Sequence, residues 1–374
     1  MANPTRYPAG VGVLPTPHML NTYPAVPSNT QIQRNDDFFP YRSGDYTSVV
    51  TGTGAAAAYT FNGGAASITN GGTAASNAFY YMGTSASLGT MQFIPGNQLW
   101  YDNRLAVPSG TMNGSTVTCT NAQILAGLFN SSTLNTATYA IYFNKPAGGS
   151  AVNLVINTPA GTTTFQNVAD FSKPSGIFGD TSSVNGVLTT TGSGGNYTGI
   201  VVATAGSGYR SAPLVIADGA TGANAQLYVQ VGAYNGAVAP VGSGLAAPYI
   251  MNPGNAAYTT YLNDVIPFIN LQMYYNGKGT IYIGVSGKTV LSLGVGGTNV
   301  AAVGGTYNVA TLGNSFNFST TTITTGLAPV QPQVGDAWLV LPKTPLSPGF
   351  GMVGATTANM TFFVEELNTA VEAN

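Results

Sequence analysis

From about residue 39 onward, apolar and polar positions alternate in short runs set between clusters of Gly, Asn and Ser. A period of two with frequent turn signals predicts the strands of a β-sandwich or barrel. Tyr139-Ala140-Ile141-Tyr142-Phe143, Val152-Asn153-Leu154-Val155-Ile156 and Thr162-Thr163-Thr164-Phe165-Gln166 are three such runs. Ile269 to Tyr275 is a fourth, and Asn276-Gly277-Lys278-Gly279 then turns the chain into Thr280 to Val285. Ser286-Gly287-Lys288 turns it again into Thr289 to Leu293, so a three-stranded antiparallel meander is expected. Ala337 to Leu341 and Met360 to Glu365 read as the final strands. Helix-like signals are confined to Asn121–Asn130 and the C-terminal tail, enough for a turn or two in each.

Two segments break this texture. Residues 1–38 carry Pro4, Pro8, Pro15, Pro17, Pro24 and Pro27 at spacings in which neither a helix nor a central strand persists, which predicts an extended arm. Its apolar members, among them Tyr7, Leu14 and Tyr23, are too many for a solvated linker. They suit an arm laid on a neighbouring subunit, or else a tail folded over its own sandwich. Between residues 186 and 257 glycine rises and long side chains become scarce. Gly199 to Ile216, with its Gly206-Ser207-Gly208-Tyr209 turn and Ser211-Ala212-Pro213, resembles a short β-repeat of phage tail and surface proteins. The expected organisation is therefore an arm (1–38), a sandwich in two parts (39–185 and 258–374) and an inserted Gly-rich β-module (186–257).

Composition adds a reason for the chain to live among partners. Only 6% of the 374 residues are charged and the net charge is -2, so little repulsion keeps copies apart. The 44% hydrophobic and 10% aromatic content argues against disorder. No apolar run approaches the roughly 18 residues of a membrane-spanning helix, and Met1 to Arg6 does not open a secretory leader. Neither a membrane nor a nucleic acid is expected as a partner, the latter because the ten basic residues are spread singly. Cys119, the sole cysteine, excludes an intramolecular disulfide and a multi-cysteine zinc site.

Catalytic chemistry is hard to assemble from this inventory. His18 is the sole histidine and lies in the Pro-rich arm, away from any orienting carboxylate. The glutamates are Glu365, Glu366 and Glu372, and neighbours on a regular strand point to opposite faces, so Glu365 and Glu366 are not expected to face one substrate. Asp36, Asp37 and Asp45 form the densest acidic group and read as caps or solvated residues rather than a calcium site. Asp102-Asn103-Arg104 reads as an arginine-carboxylate tie at a strand end. Gly192 to Gly195 lacks the Lys-Ser or Lys-Thr of a phosphate loop. The expectation is a non-enzymatic chain with no cofactor. Tyr80-Tyr81, Trp100-Tyr101 and Tyr274-Tyr275 keep carbohydrate binding in view.

Two resemblances sharpen the reading. Met1-Ala2-Asn3-Pro4-Thr5-Arg6-Tyr7-Pro8-Ala9-Gly10-Val11 resembles the start of virion structural proteins of T7-like short-tailed phages. Asn97 to Arg104, Ile124 to Phe129 and the meander 269–293 resemble successive strands of concanavalin-like jelly rolls. Together they imply an all-β, concanavalin-like jelly-roll sandwich serving as a capsid decoration (cement) protein on the outer surface of the virion head. Its partners would be the major capsid protein and copies of itself in a homo-oligomer, with Arg6, Tyr7, Leu14, Tyr23 and Arg34 as partner-binding residues. The alternative is a tail-associated or receptor-binding module that recognises a host glycan. The chain departs from lectin relatives by lacking an evident metal-binding Asp, Asn and His cluster, and from the glucanases by lacking their paired glutamates.

Overall fold

The computed structural model describes residues 31–38, 43–52, 56–59, 65–70, 74–83, 91–108, 121–159, 161–193, 196–210, 213–219, 225–231, 245–252, 261–294, 305–308, 315–316, 341–342, 344–355 and 360–372. Two large sheets dominate. The nine-stranded sheet runs β21 (Ser315–Phe316), β19 (Lys288–Gly294), β18 (Thr280–Val285), β17 (Phe268–Tyr275), β6 (Leu99–Ala106), β23 (Thr361–Glu372), β4 (Ala66–Thr69) and β3 (Ala56–Tyr59). Its remaining strand, β1 (Gln31–Asp36), pairs with β23 beyond the end of β4. The eight-stranded sheet runs β2 (Tyr46–Thr51), β5 (Asn77–Met82), β22 (Ser347–Gly354), β7 (Ala122–Phe129), β8 (Ala140–Lys145), β9 (Ala151–Thr158), β10 (Gly161–Asp170) and β20 (Gly305–Asn308). Pairing is antiparallel except for β10 with β20 and β19 with β21.

The alternating pattern explains the two layers. Leu99, Tyr101 and Leu105 of β6, Leu271 and Met273 of β17 and Ile281 and Ile283 of β18 turn inward from one sheet. Tyr80, Ile124, Leu128, Ile141, Phe143 and Phe350 turn inward from the other and complete one core. The molecule is an all-β sandwich of the jelly-roll type, held by burial of this apolar face between the sheets. The expected meander is present as β17, β18 and β19. Its second turn has φ of 47° at Ser286 and 86° at Gly287, the doubly positive conformation that suits the twist of a tight hairpin.

Three elements differ from the sequence expectation. Asn121–Asn130 is not helical: β7 lies between β22 and β8 and is buried on both faces. Ile124 and Leu128 face the main core, whereas Leu125 and Phe129 join Phe79, Tyr81, Leu134 and Tyr142 in a second apolar cluster on the far side. Double burial erases the alternation that marks a strand. The C-terminal tail is likewise no helix, because β23 continues to Glu372 with Leu367, Thr369 and Val371 on one face and Glu366, Asn368 and Ala370 on the other. The strand Ser347-Pro348-Gly349-Phe350-Gly351-Met352-Val353-Gly354 was hidden by its glycines and proline. The expected strand Ala337 to Leu341 falls, except for Leu341, outside the described residues.

The Gly-rich segment forms β11 (Val187–Ser193) with β12 (Asn196–Thr204), and a four-stranded sheet β15 (Leu245–Asn252), β14 (Ala225–Val231), β13 (Leu214–Gly219) and β16 (Tyr261–Ile266). The last strand of this segment, β16, pairs along the whole of β13, and Pro267 separates it from β17 of the sandwich. The segment's entrance is pinned. Buried Tyr209 accepts a hydrogen bond at its hydroxyl from the Gly186 amide, and Val184 and Ser207 exchange backbone hydrogen bonds of 3.1 and 2.8 Å.

Candidate functional site

The outer face of the nine-stranded sheet, the side turned away from the core, carries a cross-strand arrangement of polar and aromatic side chains. Alternation along β6 sends Trp100, Asp102 and Arg104 to this face and Tyr101 and Leu105 to the core. In the register of β17 with β6, Tyr274 lies opposite Trp100, Gln272 opposite Asp102 and Asn270 opposite Arg104. In β23, Ala370, Asn368 and Glu366 take the corresponding places on the other side of β6. Three cross-strand rows result.

The first row is aromatic. Trp100 and Tyr274 stack with ring centroids 5.4 Å apart, and Tyr274 and Tyr282 stack at 5.9 Å. Trp100 is buried over Ala370, while Tyr274 and Tyr282 are half-buried and reach the surface. The Tyr274 hydroxyl donates to Gln98 Oε1 at 3.0 Å, and the Gln98 amide donates to the Glu372 carboxylate at 2.8 Å. Burial first, then the charges of Glu372 and Tyr282, push the Tyr274 phenol above its ordinary range, so it stays a neutral donor.

The second row is held by amides. Asn270 Nδ2 and Gln272 Nε2 donate to the two oxygens of Asp102 at 3.1 and 3.2 Å, and Gln272 Oε1 accepts from the Gly287 amide at 3.2 Å. Asp102 is only 3% exposed, and a carboxyl buried to that degree needs hydrogen-bond partners such as these. The third row is ionic: Arg104 Nε lies 2.9 Å from Glu365 Oε2, with the guanidinium 5.1 Å from the centre of the Phe268 ring. The register of β23 with β6 slips between Val364 and Glu366, a bulge that lets Glu365 reach Arg104 while Glu366 also lies opposite it. This corrects two sequence expectations. The adjacent glutamates do converge on one neighbourhood, and the arginine-carboxylate tie is made by Glu365 in mid-strand rather than by Asp102 at a strand end.

The arm root adjoins this face. Strand β1 lies against β23 with Gln31 opposite Glu372, the residue that holds Gln98, and Arg34 opposite Thr369. At the other end of β1, Asp36 accepts from the Phe38 amide at 2.8 Å and from the Tyr46 hydroxyl at 2.7 Å. Phe38 is buried among Tyr46 and Phe350, closing the end of the sandwich. Asp36 thus serves as a cap. Of the partner-binding residues expected from the sequence, Arg34 sits in β1, whereas Arg6, Tyr7, Leu14 and Tyr23 lie outside the described residues, as do His18 and Cys119. No group of three or more His, Cys, Asp or Glu converges to hold a metal among the described residues, and no helix there is long and apolar enough to cross a membrane.

The aromatic doublets of the sequence divide between faces. Tyr101 and Tyr275 belong to the core; only Trp100 and Tyr274 belong to the outer row. Burial raises the Tyr101 phenol far above its ordinary range, with a 3.1 Å hydrogen bond from Asn103 acting in the opposite sense. Asn270 and Gln272 were not singled out from sequence. Their signal was the polar half of the alternation in Asn270-Leu271-Gln272-Met273-Tyr274.

Comparison with protein families and with curated proteins finds no match. Among solved structures the chain is similar to an endo-1,3-beta-glucanase from Streptomyces sioyaensis, at 10% identity and a TM-score of 0.40, over 94% of this chain and 100% of that one. That neighbour is an enzyme, against the expectation of a non-enzymatic chain. The likeness bears on fold alone.

Proposed function

We propose that the chain is a capsid decoration protein of a bacteriophage, seated on the outer surface of the major capsid lattice. The observation that carries this reading is the way residues 31–36 join the sandwich. As β1 they add a strand to β23, and Asp36 and Phe38 tie its far end into the body. Strand β1 is thereby fixed to the body, and on this reading Arg6, Tyr7, Leu14 and Tyr23 ahead of it, with Arg34 in it, are the partner contacts. The phage-like opening Met1 to Val11 and the 6% charged content support the same reading, since repeated polar and apolar contacts can hold a subunit on a lattice without ion pairs.

A second reading, a tail-associated module that binds a host glycan, is favoured by the stacked Trp100, Tyr274 and Tyr282 beside the amides of the second row. Aromatic rings flanked by hydrogen-bonding side chains suit a sugar's apolar and hydroxylated faces. Immunogold labelling of intact virions separates the two. Label distributed over the head is expected; label confined to one vertex overturns decoration and favours the glycan reading.

A further inference from the structure

The polar side chains of β6 are not confined to its outer face. Tyr101 and Asn103 turn into the sandwich, and Thr369 of β23 lies opposite Tyr101 on the same side of the sheet. All three are buried, Asn103 and Thr369 at 0% exposure and Tyr101 at 1%. Their other neighbours across the strands are apolar: Leu271 and Leu367 flank Asn103, and Met273 flanks Tyr101 on the side away from Thr369. A polar patch therefore sits within the apolar core, on the opposite side of β6 from Asp102 and Arg104.

Bonding within this patch is incomplete. Asn103 Nδ2 donates to the Tyr101 hydroxyl at 3.1 Å, whereas Asn103 Oδ1 and Thr369 Oγ1 meet no hydrogen-bond partner among the described residues. Exchanging the two ends of the amide gives the same result, because the single Tyr101 hydroxyl serves only one of them. Burial holds the Tyr101 phenol above its ordinary range, so the hydroxyl that accepts from Asn103 keeps its own proton to donate. A buried polar atom left unmatched is costly, and native interiors meet that cost with ordered water where side chains do not.

We infer that this patch is an internal water-binding site, whose water donates to Asn103 Oδ1 and accepts from the Tyr101 and Thr369 hydroxyls. Three bonds are the usual complement of a buried water. Asn103 and Thr369 are diagonal neighbours on one face of adjacent strands, a separation of roughly 7 Å between backbones that one water spans when both side chains lean towards it. The site exists only while Thr369 lies opposite Tyr101. A slip of one residue between β23 and β6 would turn Thr369 to the outer face, so the bound water also marks the register on which the outer rows depend. The inference is independent of where the protein sits on a particle.

A crystal structure of the full chain tests the site directly. A solvent peak within about 3.2 Å of Asn103 Oδ1, the Tyr101 hydroxyl and Thr369 Oγ1 is expected; a direct bond between Asn103 and Thr369, or apolar atoms filling the space, overturns the inference. Denaturant unfolding of Thr369→Val tests it in solution by the sign of the effect. A hydroxyl bonded to a buried water stabilises the fold, and its replacement by a methyl group is expected to lower the folding equilibrium constant by roughly fivefold. A hydroxyl buried without a partner is a penalty, and its removal would raise that constant. An unchanged or raised constant therefore overturns the site as well.

Discussion

Residue Gly351 lies where the central strands of the eight-stranded sheet crowd one another, and a Cβ there would strike the Ala78 carbonyl and the Phe79 side chain. Gly127 is similarly placed against the Ile141 carbonyl and Tyr142 backbone. These carbonyl and Cα atoms belong to central strands and cannot swing aside. Gly351→Ala is therefore expected to cost about 3 kcal/mol, at the upper end of overpacking penalties. Gly149→Ala, which meets nothing within 4 Å, serves as the neutral control. Denaturant midpoints of the two variants check the difference. These glycines also mark where sequence reading failed. In isolation Ser347 to Gly354 looks like a loop, because glycine and proline argue against a central strand. The reason for the glycines lies in neighbours remote in sequence, which no local pattern reveals. The aromatic doublets were visible, but which ring of each faces outward depended on the register.

At the scale of elements, the hairpins were the most legible feature, because their turn chemistry is local. Asn276 receives the Lys278 and Thr280 amides on Oδ1 at 2.8 and 3.0 Å, and Gly277 and Gly279 take φ of 71° and 92°. Asn276→Ala is expected to lower stability by about 1 kcal/mol through loss of these bonds, with the sandwich otherwise intact. Thermal melting together with the near-ultraviolet spectrum would check both statements. Strands with one wet face, such as β17, were legible from alternation. Strand β7, dry on both sides, was not. The bulge in β23 was also out of reach, since it depends on register with β6. For the candidate site, sequence therefore offered Trp100, Asp102, Arg104, Tyr274, Glu365 and Glu366 as separate motifs, and strand pairing assembled them into one face.

For the whole molecule, the layered all-β architecture followed from periodicity and turn spacing, whereas the order of the strands did not. Strands β6 and β23 are neighbours although one begins at Leu99 and the other at Thr361. The low charge has an experimental consequence for the proposed lattice contact. Retention on purified capsids is expected to change little between about 50 mM and 1 M NaCl, although screening shortens several-fold over that span. Release at high salt, scored by pelleting, would assign the attachment to a few cations such as Arg6 and Arg34. The placement of β23 also bears on how the molecule comes into being. It stands between β6 on one side and β1 and β4 on the other, so these strands, all made earlier, lack an inner neighbour until residues 361–372 emerge from the ribosome. Closure thus awaits β23, and the nascent chain carries open edges until it is made. Such non-local pairing is slow and prone to misassociation, so production in a host would be limited by the time that newly made chains spend half-built rather than by the finished sandwich.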